Sequence, residues 1–182
     1  MSLEMFNKIF SGETVSLFEM LNARDERYEK QQSLLDTYLG SSLLVVTMNI
    51  PGDVKNSDII TNVFQSAISN IDQKLVGEKI HSVSIIKQKT GNEAYYVVDM
   101  PAVELKRLML YVEETHPQGR LFDLDVLYVS DEDKVVKVSR REFKIAPRAC
   151  FVCDKDAKEC ARSRAHTTDE IKEAIANLIV NQ

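Results

Sequence analysis

From Gly119 to Leu127 the chain reads Gly-Arg-Leu-Phe-Asp-Leu-Asp-Val-Leu, an alternation that fits an extended strand. Successive side chains of a strand point to opposite faces, so Phe122, Leu124 and Val126 fall on one side and Asp123 and Asp125 on the other. Two hard oxygen donors a strand pitch apart suit Mg²⁺, which keeps several waters and takes one or two carboxylates together with substrate phosphates. Transfer from a phosphorylated substrate is the chemistry such a pair can serve, although a solvated strand face is its commoner fate.

The chain has 182 residues and is 44% hydrophobic, enough for one domain with a proper core. No apolar run approaches the roughly 20 residues of a bilayer span, and the N-terminus lacks a basic-then-apolar signal pattern, so a soluble cytoplasmic protein is expected. Met1-Ser2-Leu3 ahead of Glu4-Met5 reads as a cloning remnant and is set aside. The net charge of −5 argues against a general nucleic-acid binder, but it is unevenly spread. Lys134 to His166 holds 10 Lys/Arg against 4 Asp/Glu, a local +6 against −11 elsewhere. That tract is either a solvated surface or a cradle for a polyphosphate or an acidic partner.

Ser16 with Glu19 is a capping-box pattern, and Leu17, Leu21, Tyr28, Leu35 and Leu39 keep a helical stripe until Gly40. Arg24, Arg27 and Gln31 share a side of this long helix, facing either solvent or a substrate. Leu43 to Ile50 is β-rich and stops at Pro51-Gly52, with Asn49 and Lys55 flanking the turn. A lysine beside such a loop can meet phosphate oxygens; an ordinary strand-to-helix connection would read the same way. A helix follows from about Asp58 to Leu75, with Ile59, Val63, Ile68 and Ile71 on its buried side. His81 to Lys89 and Glu93 to Met100 form a hairpin around Thr90-Gly91-Asn92, and Ala102 to Thr115 a further helix. Lys134 to Ser139 pairs back on Arg120 to Ser130. The prediction is a single α+β domain over 15–182, preceded by an extension over 1–14, with a mixed, largely antiparallel sheet flanked by helices. A nucleotidyltransferase-like core is a fold-level analogy prompted by the paired aspartates.

The landmarks recur as a series. They are Leu21-Asn22-Ala23-Arg24-Asp25-Glu26-Arg27 with Gln31; Thr47-Met48-Asn49-Ile50-Pro51-Gly52-Asp53-Val54-Lys55; Gly119 to Val126 with Ser139-Arg140; Arg148-Ala149-Cys150-Phe151-Val152-Cys153; and Cys160-Ala161-Arg162-Ser163-Arg164-Ala165-His166. In this order, over nearly the whole chain, they resemble the phosphoribosyl-dephospho-CoA transferase of citrate lyase, also called holo-citrate lyase synthase. The resemblance implies transfer from 2'-(5''-triphosphoribosyl)-3'-dephospho-CoA to a serine of the apo acyl-carrier subunit, with diphosphate leaving. It also implies Mg²⁺ positioned by Asp123 and Asp125, and Arg120, Arg140, Arg162 and Arg164 clamping the triphosphate. Arg24, Arg27, Asn49, Lys55 and His166 are further substrate-binding candidates, and Asp99 is a candidate third carboxylate. Alternatives are a related synthase serving another lyase or decarboxylase, and a noncatalytic zinc-binding interaction module.

The spacing Cys150-x₂-Cys153-x₆-Cys160-x₅-His166 suits either a Cys₃His zinc site or buried thiols with a capping or substrate-contacting histidine. An odd cysteine count and a reducing compartment disfavour a structural disulfide. Arg162 and Arg164 precede a helix predicted to start near Thr167 or Thr168, where free amides and guanidiniums together suit anions, or where a polar loop simply crosses the surface. His81 and His116 receive no catalytic role.

Overall fold

Gly119–Leu121 forms a 3₁₀ turn, and the alternating segment becomes a strand from Phe122 to Val129. The structure, a computed structural model, describes residues 2–181. Its strands are β1 (Ser42–Met48), β2 (Ile80–Ile86), β3 (Glu93–Val98), β4 (Phe122–Val129) and β5 (Val135–Lys137), in the order β2-β3-β1-β4-β5. Every pairing among them is antiparallel, in line with the α+β fold and the largely antiparallel sheet predicted, and no strand pair is parallel among the described residues. The cause is the crossover between β3 and β4. These strands flank β1 on opposite sides, so the helix joining them links strands that never become neighbours.

The helices are α1 (Leu3–Ile9), α2 (Leu17–Thr37), α3 (Asp58–Lys74), α4 (Ala102–Thr115), α5 (Ala157–Ser163) and α6 (Thr168–Val180). None is long and apolar enough to cross a membrane. One sheet face presents Leu44, Val46, Tyr96, Val98, Phe122, Leu124 and Val126 to α1, α3, α4 and α6, forming the main core. Each such side chain contributes about 1.5–3 kcal/mol, so this face carries most of the stabilisation. On α3, Val63, Ile68 and Ile71 are buried as predicted, with Ile60 the most buried residue of the first turn and Ile59 only partly covered. Residues 3–14 are built into this layer: Ile9 is buried, Phe6 and Phe10 pack on the core, and Thr14 bridges Val54.

The other face carries a smaller cluster of Leu43, Val45, Tyr95, Val97 and Leu127 beneath Leu35 of α2. The predicted α2 stripe fails here. The Ser16–Glu19 capping box forms, but Leu17 is 77% exposed and Leu21, Tyr28 and Leu39 also face solvent. The inward line instead runs through Ala23, Arg27, Gln31, Leu35 and Tyr38, because the N-terminal half of α2 lies over charged groups rather than over the apolar cluster.

Between α4 and β4 the chain turns so tightly that a Cβ on Gly119 would lie 2.2 Å from the Glu113 carbonyl oxygen and 3.0 Å from that of Val112. Both obstacles are backbone and cannot rotate away. Gly119→Ala is expected to lower stability by about 1–3 kcal/mol, measured by urea unfolding. An unchanged midpoint would mean that the turn relaxes.

Candidate functional site

The acidic side of β4 lies on the α2 face of the sheet, and at the Met48–Phe122 end it borders a cleft of about 220 Å³. Arg27, Thr47, Asn49, Lys55, Gly91, Asn92 and Asp123 line it, so residues from four distant parts of the sequence converge there. Asp123 sits opposite Thr47 across the β1–β4 ladder. Just beyond β1 the Asn49 amide donates to Leu121 O at 2.7 Å, which continues the ladder into the turn. Lys55 closes the turn by donating its ammonium to Ile50 O at 2.7 Å. Burial pushes the Lys55 pKa down, with Asp53 partly opposing the shift.

The opposite wall is the β2–β3 turn, where Gly91 has φ +113°, a conformation open to glycine at little cost. An amide network fixes this turn: Asn56 Nδ2 donates to Gln88 O at 3.0 Å and to Asn92 Oδ1 at 2.8 Å, and Asn92 Nδ2 donates to Thr61 Oγ1 at 3.0 Å. From above, Arg27 donates through Nε and Nη2 to Glu93 Oε1 at 2.9 and 2.6 Å. The other Glu93 oxygen accepts from Tyr95 Oη, and burial followed by that carboxylate raises the Tyr95 pKa.

The two aspartates differ. Asp123 is 46% exposed and borders the cleft, with Arg148 Nη2 3.7 Å away. Asp125 is 26% exposed, lies outside the cleft lining and is ion-paired to Lys137.

Behind β4 lies a buried charge cluster that periodicity did not reveal. β5 pairs only with Leu127–Val129, so the earlier part of β4 has no strand on its outer edge. Side chains take its place: Glu113 Oε1 accepts from Leu124 N at 3.1 Å, Lys106 donates to Leu124 O at 2.5 Å, and Arg148 Nη1 donates to Phe122 O at 2.6 Å. Glu113, 7% exposed, is also paired with Arg140 and with Arg148, the latter at 2.6 Å. Burial raises the Glu113 pKa against the opposing pull of Arg148 and Lys106, and burial lowers that of Lys106. The available signal was two charged residues inside the apolar stripe of a predicted helix, and Arg148 within the motif series.

Other predicted residues lie elsewhere. Arg140 is occupied by Glu113 and Glu114. Arg120 donates to Ala149 O, with Nε at 3.1 Å, and stacks on Phe151 at 3.9 Å, while burial pushes its pKa to about 10. These contacts hold the C-terminal segment and leave the clamp expected of both guanidiniums unsupported. Arg24, Arg162 and Arg164 are exposed and do not line the cleft. The helix that follows, α6, starts at Thr168 as predicted, with Thr167 as its cap, the hydroxyl accepting from Glu170 N.

Asp99 follows β3 at the Ser42 end of the sheet, away from the Thr47–Asp123 pair, and is bonded to Lys79 at 3.0 Å. It cannot be a third carboxylate beside Asp123. A larger depression of about 350 Å³ borders Asp99, but its lining holds no other charged group, whereas the smaller cleft gathers Arg27, Lys55 and Asp123. His116 packs on Phe122 and its Nδ1 accepts from Gln118 N at 3.0 Å, a structural arrangement. Cys150, Cys153, Cys160 and His166 converge, with Cys153 Sγ 3.6 Å from Cys160 Sγ and 3.2 Å from His166 Nε2.

Residues 15–182 match the family profile described as apo-citrate lyase phosphoribosyl-dephospho-CoA transferase. A Streptococcus pyogenes serotype M3 protein named probable apo-citrate lyase phosphoribosyl-dephospho-CoA transferase is 42% identical over 170 residues, 93% of this chain and 88% of that protein. A Citrobacter koseri apo-citrate lyase phosphoribosyl-dephospho-CoA transferase is 31% identical over 159 residues, 86% of this chain and 84% of its own length. The Haemophilus influenzae protein CitXG is 39% identical over 172 residues, 93% of this chain but 36% of that longer protein.

Removing the carboxylate at the centre of the buried cluster should be costly, because Arg140, Arg148 and Lys106 would keep their charges without it. Glu113→Ala is expected to lose about 3–5 kcal/mol of stability in chemical denaturation. Glu113→Gln keeps an acceptor for Leu124 N–H and should lose less; equal stabilities would deny the cluster this role.

Proposed function

This chain belongs to the apo-citrate lyase phosphoribosyl-dephospho-CoA transferase family, and we propose that it transfers the phosphoribosyl-dephospho-CoA group from 2'-(5''-triphosphoribosyl)-3'-dephospho-CoA to a serine of the apo acyl-carrier subunit of citrate lyase. The observation that supports this reading is the convergence of Arg27, the Asn49–Lys55 turn and Asp123 on one cleft. The reaction is a nucleotidyltransfer in type. The serine oxygen forms a bond to the phosphorus nearest the ribose, the bond from that phosphorus to diphosphate breaks, and the serine proton passes to a carboxylate of the Asp123–Asp125 pair.

Lys55 and Arg27 supply positive charge to the triphosphate oxygens, and the Gly91 turn lets backbone approach them closely. The donor set fits a hard cation: a carboxylate opens into the cleft, a second lies two residues along the same strand face, and the cleft lining holds no thiol or imidazole. Asp123, with Asp125 beside it, would hold Mg²⁺, which when bound neutralises charge on the phosphates and the departing diphosphate. Three unpaired thiols are in keeping with a cytoplasmic setting.

Asp123→Asn should leave the circular dichroism unchanged and slow carrier modification by about 100-fold or more, followed by mass spectrometry of the carrier. Asp125→Asn tests the second carboxylate, and near-normal turnover in both variants at saturating Mg²⁺ would remove the pair from the mechanism.

Lys55 generates a pH prediction. Its pKa is held below the ordinary 10.5, and only the protonated form attracts phosphate, so substrate affinity should fall with rising pH before 10.5 is reached. Lys55→Arg should carry that alkaline limb upward, since guanidinium stays charged. Identical alkaline limbs in titrations of the two proteins would exclude Lys55 from phosphate binding.

A further inference from the structure

The segment from Lys144 to His166 poses a stability problem. Its one fully buried side chain is Cys160, so it has no apolar core of its own, yet it follows a defined path. Ala149 bridges Asp156, Cys150 N donates to Lys155 O at 2.8 Å and Ala157 N donates to Arg148 O at 2.9 Å, which together form a tight turn leading into α5. Arg164, at φ 49°, then reverses the chain at the end of α5 and returns His166 to the turn. A few backbone hydrogen bonds at about 1 kcal/mol each do not offset the entropy of ordering such a stretch.

At the centre of this path the three sulfurs and a ring nitrogen of His166 all lie within 4.8 Å of one another. Zinc bonds of about 2.3 Å to sulfur and 2.0 Å to nitrogen imply tetrahedral edges of about 3.8 Å between sulfurs and about 3.5 Å between sulfur and nitrogen. The observed Cys153–Cys160 and Cys153–His166 separations, 3.6 and 3.2 Å, are close to those edges. Three thiols and an imidazole from 17 residues of chain thus converge closely enough for a single ion to reach all four.

We infer that Cys150, Cys153, Cys160 and His166 bind one Zn²⁺ as a closed structural site that organises the C-terminal segment. Each thiol gives up its proton on binding, so three thiolates, a neutral imidazole and Zn²⁺ leave one net negative charge. The surrounding basic tract, with Arg120 lying over Phe151, suits that charge. Four protein donors fill the coordination shell and leave no open position for substrate. Through the backbone next to Cys150 the ion also acts at a distance: it fixes Ala149, which receives Arg120, and Arg148, which bonds Phe122 O and stands beside Asp123. This inference is independent of the transferase assignment.

The full-length protein, purified under reducing conditions from zinc-supplemented culture, should hold about one zinc per chain by mass-spectrometric metal analysis. Replacement with Co²⁺ should give thiolate-to-metal charge transfer and the intense visible bands of a tetrahedral ion. Cys153→Ala should lose the metal, and chelation of the unmodified protein should speed proteolysis within 144–166. His166→Cys, which keeps four donors, should retain zinc where His166→Gln binds it more weakly. Cobalt reconstitution of the unmodified chain needs no variant to fold. The inference is overturned if that chain takes up neither zinc nor tetrahedral cobalt, or if Cys153→Ala and His166→Gln bind zinc as tightly as the parent.

Discussion

The unfilled edge of β4 governs the arrangement around it. A three-residue β5 satisfies only the distal part of this strand, and the proximal part carries Asp123. Backbone groups buried without partners would be costly, so α4 supplies Glu113 and Lys106 and the C-terminal segment supplies Arg148 in place of a neighbouring strand. Charged side chains provide what a sixth strand could not: they stiffen the acidic strand from behind and place Arg148 beside Asp123 while leaving its other face open. Burying a carboxylate and an ammonium this way adds little net stability compared with an apolar edge, so its value lies in fixing position.

The sequence was most legible where one periodicity acted alone. α4 runs from Ala102 to Thr115 as predicted, α3 differs by one residue at its end, and the β2–β3 hairpin turns at Gly91. The α2 stripe misled because an apolar pattern records which residues could pack, whereas the partner surface decides which do. Here that surface is partly ionic, and Arg27 took the inward place. The sequence offered Arg27, Asn49, Lys55 and Asp123 as separate candidates, and the fold brings them to the lining of one cleft. What could not be read was pairing over long range. Nothing local to Arg140 announces Glu113, and nothing local to Arg120 announces the Ala149 carbonyl, so cationic residues with structural duties were indistinguishable from phosphate clamps.

The walls of the cleft differ in how firmly they are held. On the sheet side, Thr47 and Asp123 belong to the central ladder, and the Asn56–Asn92–Thr61 network locks the glycine turn. On the helix side, the N-terminal half of α2 buries little besides Ala23 and is tied by Arg27 to Glu93 and by Glu19 to Lys89. The Lys89 ammonium and the Ser16 backbone amide hold the Glu19 carboxyl down to about 2, so that tie is present above the ordinary carboxylate range and is lost only as pH falls toward 2.

The Glu19–Lys89 pair is exposed and weak, whereas Arg27 neutralises the buried Glu93 carboxylate and holds more firmly. The cleft, at about 220 Å³, is smaller than the roughly 300–1,000 Å³ of sites that enclose a drug-sized ligand. The proposed triphosphate substrate would therefore have room for its phosphates there and would place its remainder outside or displace a wall. The wall that moves at least cost is the start of α2 ahead of Arg27, since shifting its first turn breaks the exposed Glu19–Lys89 pair and opens no core, whereas moving β4 would strip partners from Leu124 and uncover Asp123 from its support. The end of α2 whose apolar residues Leu17, Phe18 and Leu21 stay exposed is thus also the part whose attachment is easiest to reverse, because what lies beneath it is a charged surface rather than a core.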